Sequence, residues 1–594
     1  MKENSFKEKG VILFTSVLLA LMMFSGVYYD MSIGNNTLIS FIKSHIFESI
    51  ILMLLLLISC FVIVRFIYNK FDQYNVRDTK SAGTVRKGTL RCFSHLNYKT
   101  LLFYWAVVFA CWLPYLIICF PASSIGWDYS WQLLQGSGVV PLSNHHPVLG
   151  SLIYGLLYKI GFVICGAYGG LFFTGFFQVL LMSFAIAYGL FTVQRMGTPK
   201  GVVYCLLAFT CINPVFAGHA VWLIKDSIYA SLIIILLALC HNYRLDNNRL
   251  LYPILIGVVG FFATMYRNEA IIVIALLLLA AIVEEFRNKN KKALRRIVVS
   301  FVSMLVLFIS LKIGFRISGI PSTSAARETM TLFSAQIMDC IKKHPNDVNE
   351  QEWAVLQESY DDIEATVLKY DEVNRDPIKT VDMDSERIAE YIKTWFRIGM
   401  RHKGDYIDTF LRGTNGYWWL FRDPRLIAHS TPLYAPENDF ANTRTRDIHV
   451  MSHKWLKNVY QSYGIQTDKT IGELALENNP DIEGIFYVKS SFPNARDSLK
   501  KVLDQLKEIP LLQFIFVPGF YFVINIISLG YLFIRKRPIF WQCIPMMIIV
   551  IFNFFSPING YMRYFLPVAL SSPLIVGMCF TRMEGALPGE KSNG

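Results

Sequence analysis

A short polar stretch between two apolar segments holds residues that are able to do acid–base chemistry. It runs from Pro121 to Pro147 and contains Asp128 and the neighbouring pair His145 and His146. The apolar segments on either side are long enough to cross a bilayer. Ionisable side chains at membrane depth are costly, so they are usually found where they act. A carboxylate that faces a cavity is suited to be a general base, and this is the role we expect for Asp128.

Charged residues recur beside other apolar segments. Lys225 and Asp226 precede one segment, Arg267 and Glu269 lie between two others, and Arg563 precedes the last. If the segments cross a membrane in turn, these five residues lie on the same outer side as the polar stretch. Arginine and lysine bind phosphate well. The arrangement predicts that these residues bind substrate in a shared outward-facing cavity, suited to a phosphate-bearing lipid.

The same five residues also allow plainer interpretations. Lys225 and Asp226 are adjacent and could neutralise each other. Arg267 and Arg563 could extend their charged ends from the membrane to the water, as arginines near span ends often do. Glu269 could serve only to pair with one of these arginines.

The polar stretch has plainer interpretations as well. An aspartate is a good helix N-cap, so Asp128 could begin an interfacial helix in which Trp131 and Leu134 face the membrane. The adjacent histidines point in different directions, and no H-x-x-x-H spacing supports a metal pair. We expect one of His145 and His146 to bind a phosphate or orient the acid, while the other packs.

Composition places the chain among polytopic membrane proteins. Of its 594 residues 53% are hydrophobic, more than a soluble core needs. The formal net charge is +13, but residues 320–510 carry 24 Lys and Arg against 30 Asp and Glu, so the remainder carries +19. Those cations lie mostly in short loops, which is typical of cytoplasmic loops and not of nucleic-acid binding. The eleven cysteines include no C-x-x-C pair, so a thiol redox motif or thiolate zinc site is not predicted.

Apolar segments and loop charges predict about twelve transmembrane helices, with both termini of the chain in the cytoplasm and the protein in the cell membrane. Several segments are shorter than the roughly 20 residues that a crossing needs. The predicted spans are Gly10–Tyr29, Ser49–Tyr68, Leu101–Phe120, Gly169–Val193, Val202–Phe216, Ile228–Cys240, Leu251–Met265, Ala270–Val283, Ile297–Ile313, Leu511–Ile534, Ile539–Phe555 and Phe565–Phe580.

The predicted fold is therefore an all-α polytopic membrane protein in four parts. Residues 1–99 hold two spans and a basic cytoplasmic loop, and residues 100–319 form a transmembrane module. Residues 320–510 form a mainly helical extracytoplasmic domain, long enough to bury a core of its own. Residues 511–594 hold the last three spans.

Six short motifs mark the chain after about residue 100. They are Gly126-Trp127-Asp128, Asn144-His145-His146-Pro147, Tyr266-Arg267-Asn268-Glu269, Arg375-Asp376-Pro377-Ile378-Lys379, Gly416-Tyr417-Trp418-Trp419 and Arg563-Tyr564-Phe565-Leu566-Pro567. In type and order they resemble the GT-C superfamily of membrane glycosyltransferases, and more closely an uncharacterised family of bacterial membrane proteins placed near it. The resemblance implies a GT-C-like module of seven spans, an outer domain after it, and a polyprenyl-phosphate-linked sugar donor used outside the membrane. Asp128 matches the catalytic acidic residue, although many such enzymes carry two adjacent acids where Tyr129 follows here.

We therefore expect an inverting glycosyltransferase that moves a sugar from a polyprenyl-phosphate carrier to an envelope glycan or lipid acceptor at the outer membrane face. Asp128 would be the base, and Lys225, Arg267 and Arg563 would hold the donor phosphate. The alternatives are a transporter or flippase of lipid-linked or anionic solutes, and a catalytically inactive scaffold. The sequence leaves open the sugar, the acceptor and whether a divalent metal takes part.

Overall fold

The chain folds almost entirely into helices. The computed structural model describes residues 2–30, 37–81, 98–122, 125–246, 249–322, 327, 329–381, 383–435 and 444–581. Within these residues the backbone forms α-helices and short 3₁₀ helices, and it forms no strand. Helices satisfy every backbone hydrogen bond internally, as apolar surroundings require. The first twelve are α1 (Lys2–Asp30), α2 (Leu38–Ser44), α3 (Ile46–Ser81), α4 (Tyr98–Ile118), α5 (Trp127–Gly136), α6 (Val148–Arg195), α7 (Lys200–Ile212), α8 (Pro214–Val221), α9 (Lys225–Leu245), α10 (Leu251–Thr264), α11 (Ala270–Arg287) and α12 (Lys291–Ile317).

Residues 320–510 contribute nine further α-helices in the described ranges, and three more follow. The nine are α13 (Thr331–Lys343), α14 (Glu350–Ser359), α15 (Ile363–Leu368), α16 (Ser385–Arg401), α17 (Lys403–Trp418), α18 (Lys454–Ser462), α19 (Ile471–Asn478), α20 (Pro480–Glu483) and α21 (Pro493–Leu506). The chain then closes with α22 (Pro518–Arg535), α23 (Arg537–Phe554) and α24 (Met562–Cys579).

This is a multi-pass membrane protein. Among the described residues, eight helices are long and apolar enough to span a membrane, or nine if the bent pair α7 and α8 is one span. Ten of the twelve predicted segments lie largely within one helix each, whereas Val202–Phe216 crosses the bend between α7 and α8, and Leu511–Ile534 begins in a 3₁₀ helix ahead of α22. The helix α10 has only 14 residues, about 21 Å of helix against a hydrocarbon core of about 30 Å. The count of twelve spans therefore stays a prediction.

The helix α6 is two helices joined by a sharp break. The backbone leaves the helical region at Cys165 and Gly166, where Gly166 has φ of +58°. On either side of the break the arms pack tightly, because a Cβ on Gly161 would lie only 2.2 Å from the carbonyl oxygen of Gly169. The predicted span Gly169–Val193 thus lies in the second of two arms within one element.

The centre of the bundle is formed by α6, α9 and α24, which pack on one another, and by α22, which packs on α24. Each of these helices buries many of its side chains. By contrast, α3 and α12 leave apolar side chains exposed along their length, including Leu54 and Ile58 on α3 and Val302 and Val306 on α12. Continuous exposed apolar surface of this kind suits contact with lipid tails.

Residues 320–510 contain two cores instead of one. The first part, around Ala335, Leu356, Tyr391 and Ile398, packs as a cluster of its own. The later part, including Leu456, packs against the main core of the bundle. The predicted domain therefore has one portion with its own core and one portion that is continuous with the helices beneath it.

Candidate functional site

Two chain segments that come together at one end of the bundle place the first acidic and basic residues of the site. Gly126, the N-cap of α5, donates its N–H to the carbonyl oxygen of Leu223 over 3.3 Å, just ahead of α9. A Cβ on Gly126 would lie 2.9 Å from that oxygen, so only glycine permits the approach. Asp128 in the first turn of α5 and Lys225 at the start of α9 thereby become neighbours.

The Asp128 carboxylate is shared by two cations. Its Oδ2 atom lies 2.9 Å from Nη2 of Arg563 and 3.3 Å from Nζ of Lys225. Burial alone would raise the pKa of this carboxyl, but the charges of Arg563 and Lys225 outweigh burial and hold the pKa well below 3.8. Lys225 also donates to Nδ1 of His146 over 3.1 Å. Burial and the Lys225 charge lower the pKa of His146 well below 6.5, so its ring is neutral and accepts this bond.

A second carboxylate, Asp226, lies deeper. Its side chain is fully buried, and it pairs with Arg267 through Oδ1 and with Nε of Arg563 through Oδ2, at 3.6 Å. Arg267 also pairs with Glu269. Burial would lower the pKa of Arg267, but Glu269 and Asp226 outweigh it and raise the pKa, so the guanidinium stays charged. Arg563 therefore bridges the two aspartates.

These contacts join seven residues into one charged cluster. In order of contact they are His146, Lys225, Asp128, Arg563, Asp226, Arg267 and Glu269. Three cations face three carboxylates, so the cluster is neutral as it stands. An anionic ligand that binds to these cations has to replace carboxylates that are now paired with them.

A further cation, Lys312, lies beside the cluster. Its Nζ donates to the amide oxygens of Asn268, at 3.0 Å, and Asn144, at 3.4 Å. These partners are uncharged, so this ammonium remains available to an anion. Sequence reasoning missed Lys312, although a lysine inside the predicted span Ile297–Ile313 was a signal.

Aromatic side chains cover one side of the cluster. The ring of His145 lies 4.7 Å from that of His146 and 5.5 Å from that of Trp455 on α18. Trp455 also packs edge-on against Trp131 of α5 at 5.1 Å, and His453 lies 5.5 Å from Trp131. We call Trp131, His145, His453 and Trp455 the aromatic wall. It shows that residues 320–510 contribute directly to the site, which no local pattern in the sequence indicated.

Tyrosine rings hold the two arginines in place. The guanidinium carbon of Arg563 lies 4.8 Å from the ring centre of Tyr561 and 4.7 Å from that of Tyr564. The guanidinium carbon of Arg267 lies 5.0 Å from the ring centre of Tyr564. Such cation–π contacts limit the freedom of both guanidinium groups.

Two motifs of residues 320–510 position the loop that leads to Arg563. The N–H of Arg375 donates to the carbonyl oxygen of Pro557 over 2.7 Å. Gly416 packs against Gly560 so closely that a Cβ on it would lie 2.6 Å from the Gly560 Cα. The Asn559 side chain accepts from the Gly416 N–H at 2.9 Å. These motifs act on the site through the loop and do not contact the cluster.

Gln178 on α6 orders the loop before Lys225. Its buried amide donates to the carbonyl oxygens of His219 and Ala220 at 3.3 and 2.9 Å, and accepts from the Ile224 N–H at 3.4 Å. Sequence reasoning did not identify this residue, because a glutamine inside an apolar span carries no mark of its distant partner.

Gln132 differs from Gln178, because its buried side-chain amide is unpaired. It follows Asp128 by four residues and so shares its helix face, and it is fully buried. Neither its amide nitrogen nor its amide oxygen has a hydrogen-bond partner. A buried amide left unpaired costs about 1–3 kcal/mol, so water or a ligand is expected to pair with Gln132.

Most of the plainer interpretations of the charged residues do not describe the structure, although Glu269 does pair with Arg267. Asp128 is not the N-cap of α5, and the helix is buried from Tyr129 to Gln135, so it does not lie in the interface. Lys225 and Asp226 pair with other partners and not with each other. The arginines do not extend into water, because the side chains of Arg267 and Arg563 are only 18% and 8% exposed.

All eight residues predicted for the site thus lie together at one end of the bundle: Asp128, His145, His146, Lys225, Asp226, Arg267, Glu269 and Arg563. Their histidines and carboxylates are not grouped as metal ligands. Among the described residues, the group that could hold an ion lies in residues 320–510.

Comparison with known proteins adds a family but no activity. No curated protein and no solved structure matches the chain. The model of a family of unknown function, DUF6020, matches residues 137–592, a range that begins after Asp128 and includes the seven other site residues. The chain belongs to the DUF6020 family.

Proposed function

We propose that this protein is an inverting glycosyltransferase of the GT-C type. It would move a sugar from a polyprenyl-phosphate-linked donor to an envelope glycan or lipid acceptor at the outer face of the cell membrane. The observation that carries the proposal is the Asp128 carboxylate, held between Lys225 and Arg563 at the end of a membrane bundle and beside the aromatic wall.

The distribution of charge favours an outward-facing site. Arg195 pairs with Asp246, and Arg535 pairs with Asp72, at the end of the bundle away from Asp128. Among the described residues, Lys200 at the start of α7, Arg244 in the last turn of α9 and Lys291 at the start of α12 lie at that same end, which suits the cytoplasm. The larger part of the predicted basic loop of residues 1–99 lies outside the described residues. The amino and carboxyl termini of the chain would then also be cytoplasmic, and the site would open outward.

The chemistry assigns each charge a role. Asp128 would accept the proton of an acceptor hydroxyl as its oxygen attacks the anomeric carbon of the donor. The bond from that carbon to the phosphate oxygen breaks, and polyprenyl phosphate leaves with the electron pair. Lys225, Arg267 and Arg563 would stabilise the negative charge that develops on the leaving phosphate.

Because the charges of the cluster balance, binding of a donor phosphate would change the basicity of Asp128. A donor phosphate would draw Lys225 and Arg563 from Asp128, and losing cations raises the pKa of a carboxylate. Asp128 would therefore become a stronger base only when donor is bound. Lys312, whose ammonium donates to two amide oxygens, would receive the phosphate first.

Two further features suit a sugar. Aromatic rings such as Trp455 offer flat apolar surfaces beside polar groups, and the unpaired amide of Gln132 can bond to a hydroxyl. Gln132 and Asp128 share one helix face. A sugar hydroxyl that bonds to Gln132 would therefore lie near Asp128, the group that accepts the proton.

A transporter or flippase of lipid-linked or anionic solutes is the second candidate. The observation in its favour is the bend of 55° between α7 and α8, since broken helices are typical of transporter binding sites. A transporter would use the cations for binding, but would not need Asp128 as a base.

The variant Asp128→Asn separates the two candidates. Purified protein would be incubated with lipid-linked sugars extracted from the source membranes, and products and bound donor would be followed by mass spectrometry. The proposal predicts a loss of turnover of about 10²- to 10⁴-fold, with donor still bound. Asp246→Asn, which removes an arginine-paired carboxylate at the opposite end, is the matched control and should keep turnover. Wild-type product formation by Asp128→Asn would refute the base assignment.

A further inference from the structure

A second cluster of ligand-type side chains lies in residues 320–510, where several helix ends meet. His344 ends α13, and Asp347 ends the 3₁₀ helix that follows it. His402 lies between α16 and α17. One ligand atom from each residue lies within 4.8 Å of the others.

The geometry within this cluster matches metal coordination. The His402 Nε2 and Asp347 Oδ2 atoms are 3.4 Å apart. Two ligands at bond lengths of about 2.0–2.1 Å in a tetrahedral zinc site are separated by about 3.3 Å. The ring centres of His344 and His402 are 4.4 Å apart, so the two imidazoles are direct neighbours.

The neighbouring charges leave the three ligands in place for an ion. His344 Nε2 lies 3.2 Å from Asp405 Oδ2, so Nε2 can donate there while Nδ1 binds metal. Histidine ligands usually donate their second ring nitrogen in this way. The other oxygen of Asp405 is 3.4 Å from Lys343, and Arg401 bonds to the backbone oxygen of Asp347, not to its carboxylate.

We propose that His344, Asp347 and His402 bind a zinc ion, with Asp405 as the residue that orients His344. Two imidazoles and a carboxylate suit zinc better than calcium or magnesium, which prefer oxygen ligands. Three protein ligands leave one position for water. The ion would join the ends of α13, α16 and α17 at the surface of the separate core formed by the first part of residues 320–510.

Zinc binding to the full chain tests this inference without reference to any enzymatic activity. Protein purified in detergent without a histidine tag would be stripped with chelator and titrated with zinc by calorimetry. Wild type should bind about one zinc with a rise in Tm, and His344→Gln and His402→Gln should each abolish both effects. Asp405→Asn should weaken zinc binding about 10- to 100-fold.

The control is His449→Gln, which removes an exposed histidine of the same region and should bind zinc as wild type does. Titration with cobalt gives a second readout, because tetrahedral cobalt has a characteristic visible spectrum. A variant is compared with wild type only if its metal-free Tm and its gel-filtration volume match those of wild type, so that misfolded protein is left out. Equal zinc affinity in wild type and in a folded His344→Gln protein, or no zinc bound by wild type, would overturn the proposal.

Discussion

Arg563 and Asp128 are separated by 435 positions in the chain, yet a guanidinium nitrogen of one lies 2.9 Å from a carboxylate oxygen of the other. Arg563 lies at the start of α24, which packs on α6 and α9 in the centre of the bundle. The site is therefore completed only when the last span joins the first half of the chain.

The ion pair of Asp226 and Arg267 should be required for stability because the aspartate is fully buried. Removing one partner of a buried pair costs about 3–5 kcal/mol, and without Arg267 the Asp226 carboxylate would keep only the more distant Arg563, at 3.6 Å. Arg267→Met should therefore lower the free energy of unfolding by about that amount, and adding Asp226→Asn should recover much of the loss. Thermal or denaturant unfolding in detergent measures both effects. The exposed pair of Arg425 and Asp423 is the control, and Arg425→Met should cost below about 1 kcal/mol. Equal losses for the two arginine variants would show that burial of Asp226 is not decisive.

Two glycines of α17 should respond differently to alanine. A methyl group on Gly416 would meet the backbone of Gly560, displacing the loop that precedes Arg563. Gly416→Ala should destabilise the protein by about 1–3 kcal/mol and weaken donor binding. A Cβ on Gly404, in contrast, would lie 3.5 Å from Thr37, an ordinary contact. Gly404→Ala should be neutral or stabilise by up to about 1 kcal/mol through helix propensity. If the two variants unfold at the same temperature and retain the same lipid, the contact of Gly416 with Gly560 does not position the loop.

His429 should make stability depend on pH. Burial, aided by the charge of Arg563, lowers the pKa of this histidine from 6.5 to about 3. As the pH falls below 6.5, the unfolded chain takes up a proton that the folded protein refuses until about pH 3, so stability decreases across that window. His429→Asn should flatten this dependence, because asparagine does not titrate and tolerates the φ of +53° found here. Unfolding midpoints measured from pH 7 to pH 4 give the comparison with wild type. The same slope in both proteins would exclude His429 as the source.

The sequence was sufficient to predict the helical class and the gathering of charges, but not their pairing. Polar residues such as Lys225 and Arg267 sit at span ends, and membrane topology restricts span ends to two sides. The pairing could not be predicted, because adjacent residues on a helix point in different directions. Lys225 turns to Asp128, while Asp226 turns to Arg267.

The contributions of distant elements were also beyond sequence reasoning. The helix α5 has the pattern of an interfacial helix, but Trp455, more than three hundred residues later, packs on Trp131 and helps to bury it. Likewise, nothing near Gly416 in the sequence indicates that it faces Gly560. Contacts of this kind depend on long-range packing, which no single stretch specifies.

The lipids that copurify with the protein will show whether the cluster end of the bundle binds polyprenyl phosphate, as we propose. The informative variant is Lys225→Gln with Lys312→Gln. Asp128 keeps Arg563, and Lys312 donates to amide oxygens, so no buried carboxylate is left unpaired. The matched control is Lys200→Gln with Lys291→Gln, two exposed lysines at the opposite end.

Mass spectrometry would compare the lipids bound to wild type, variant and control in detergent. Binding at the cluster predicts polyprenyl phosphates, with or without sugar, on wild type and control, and their loss from the Lys225 and Lys312 variant. Ordinary phospholipids alone, in equal amounts on all three proteins, would contradict it.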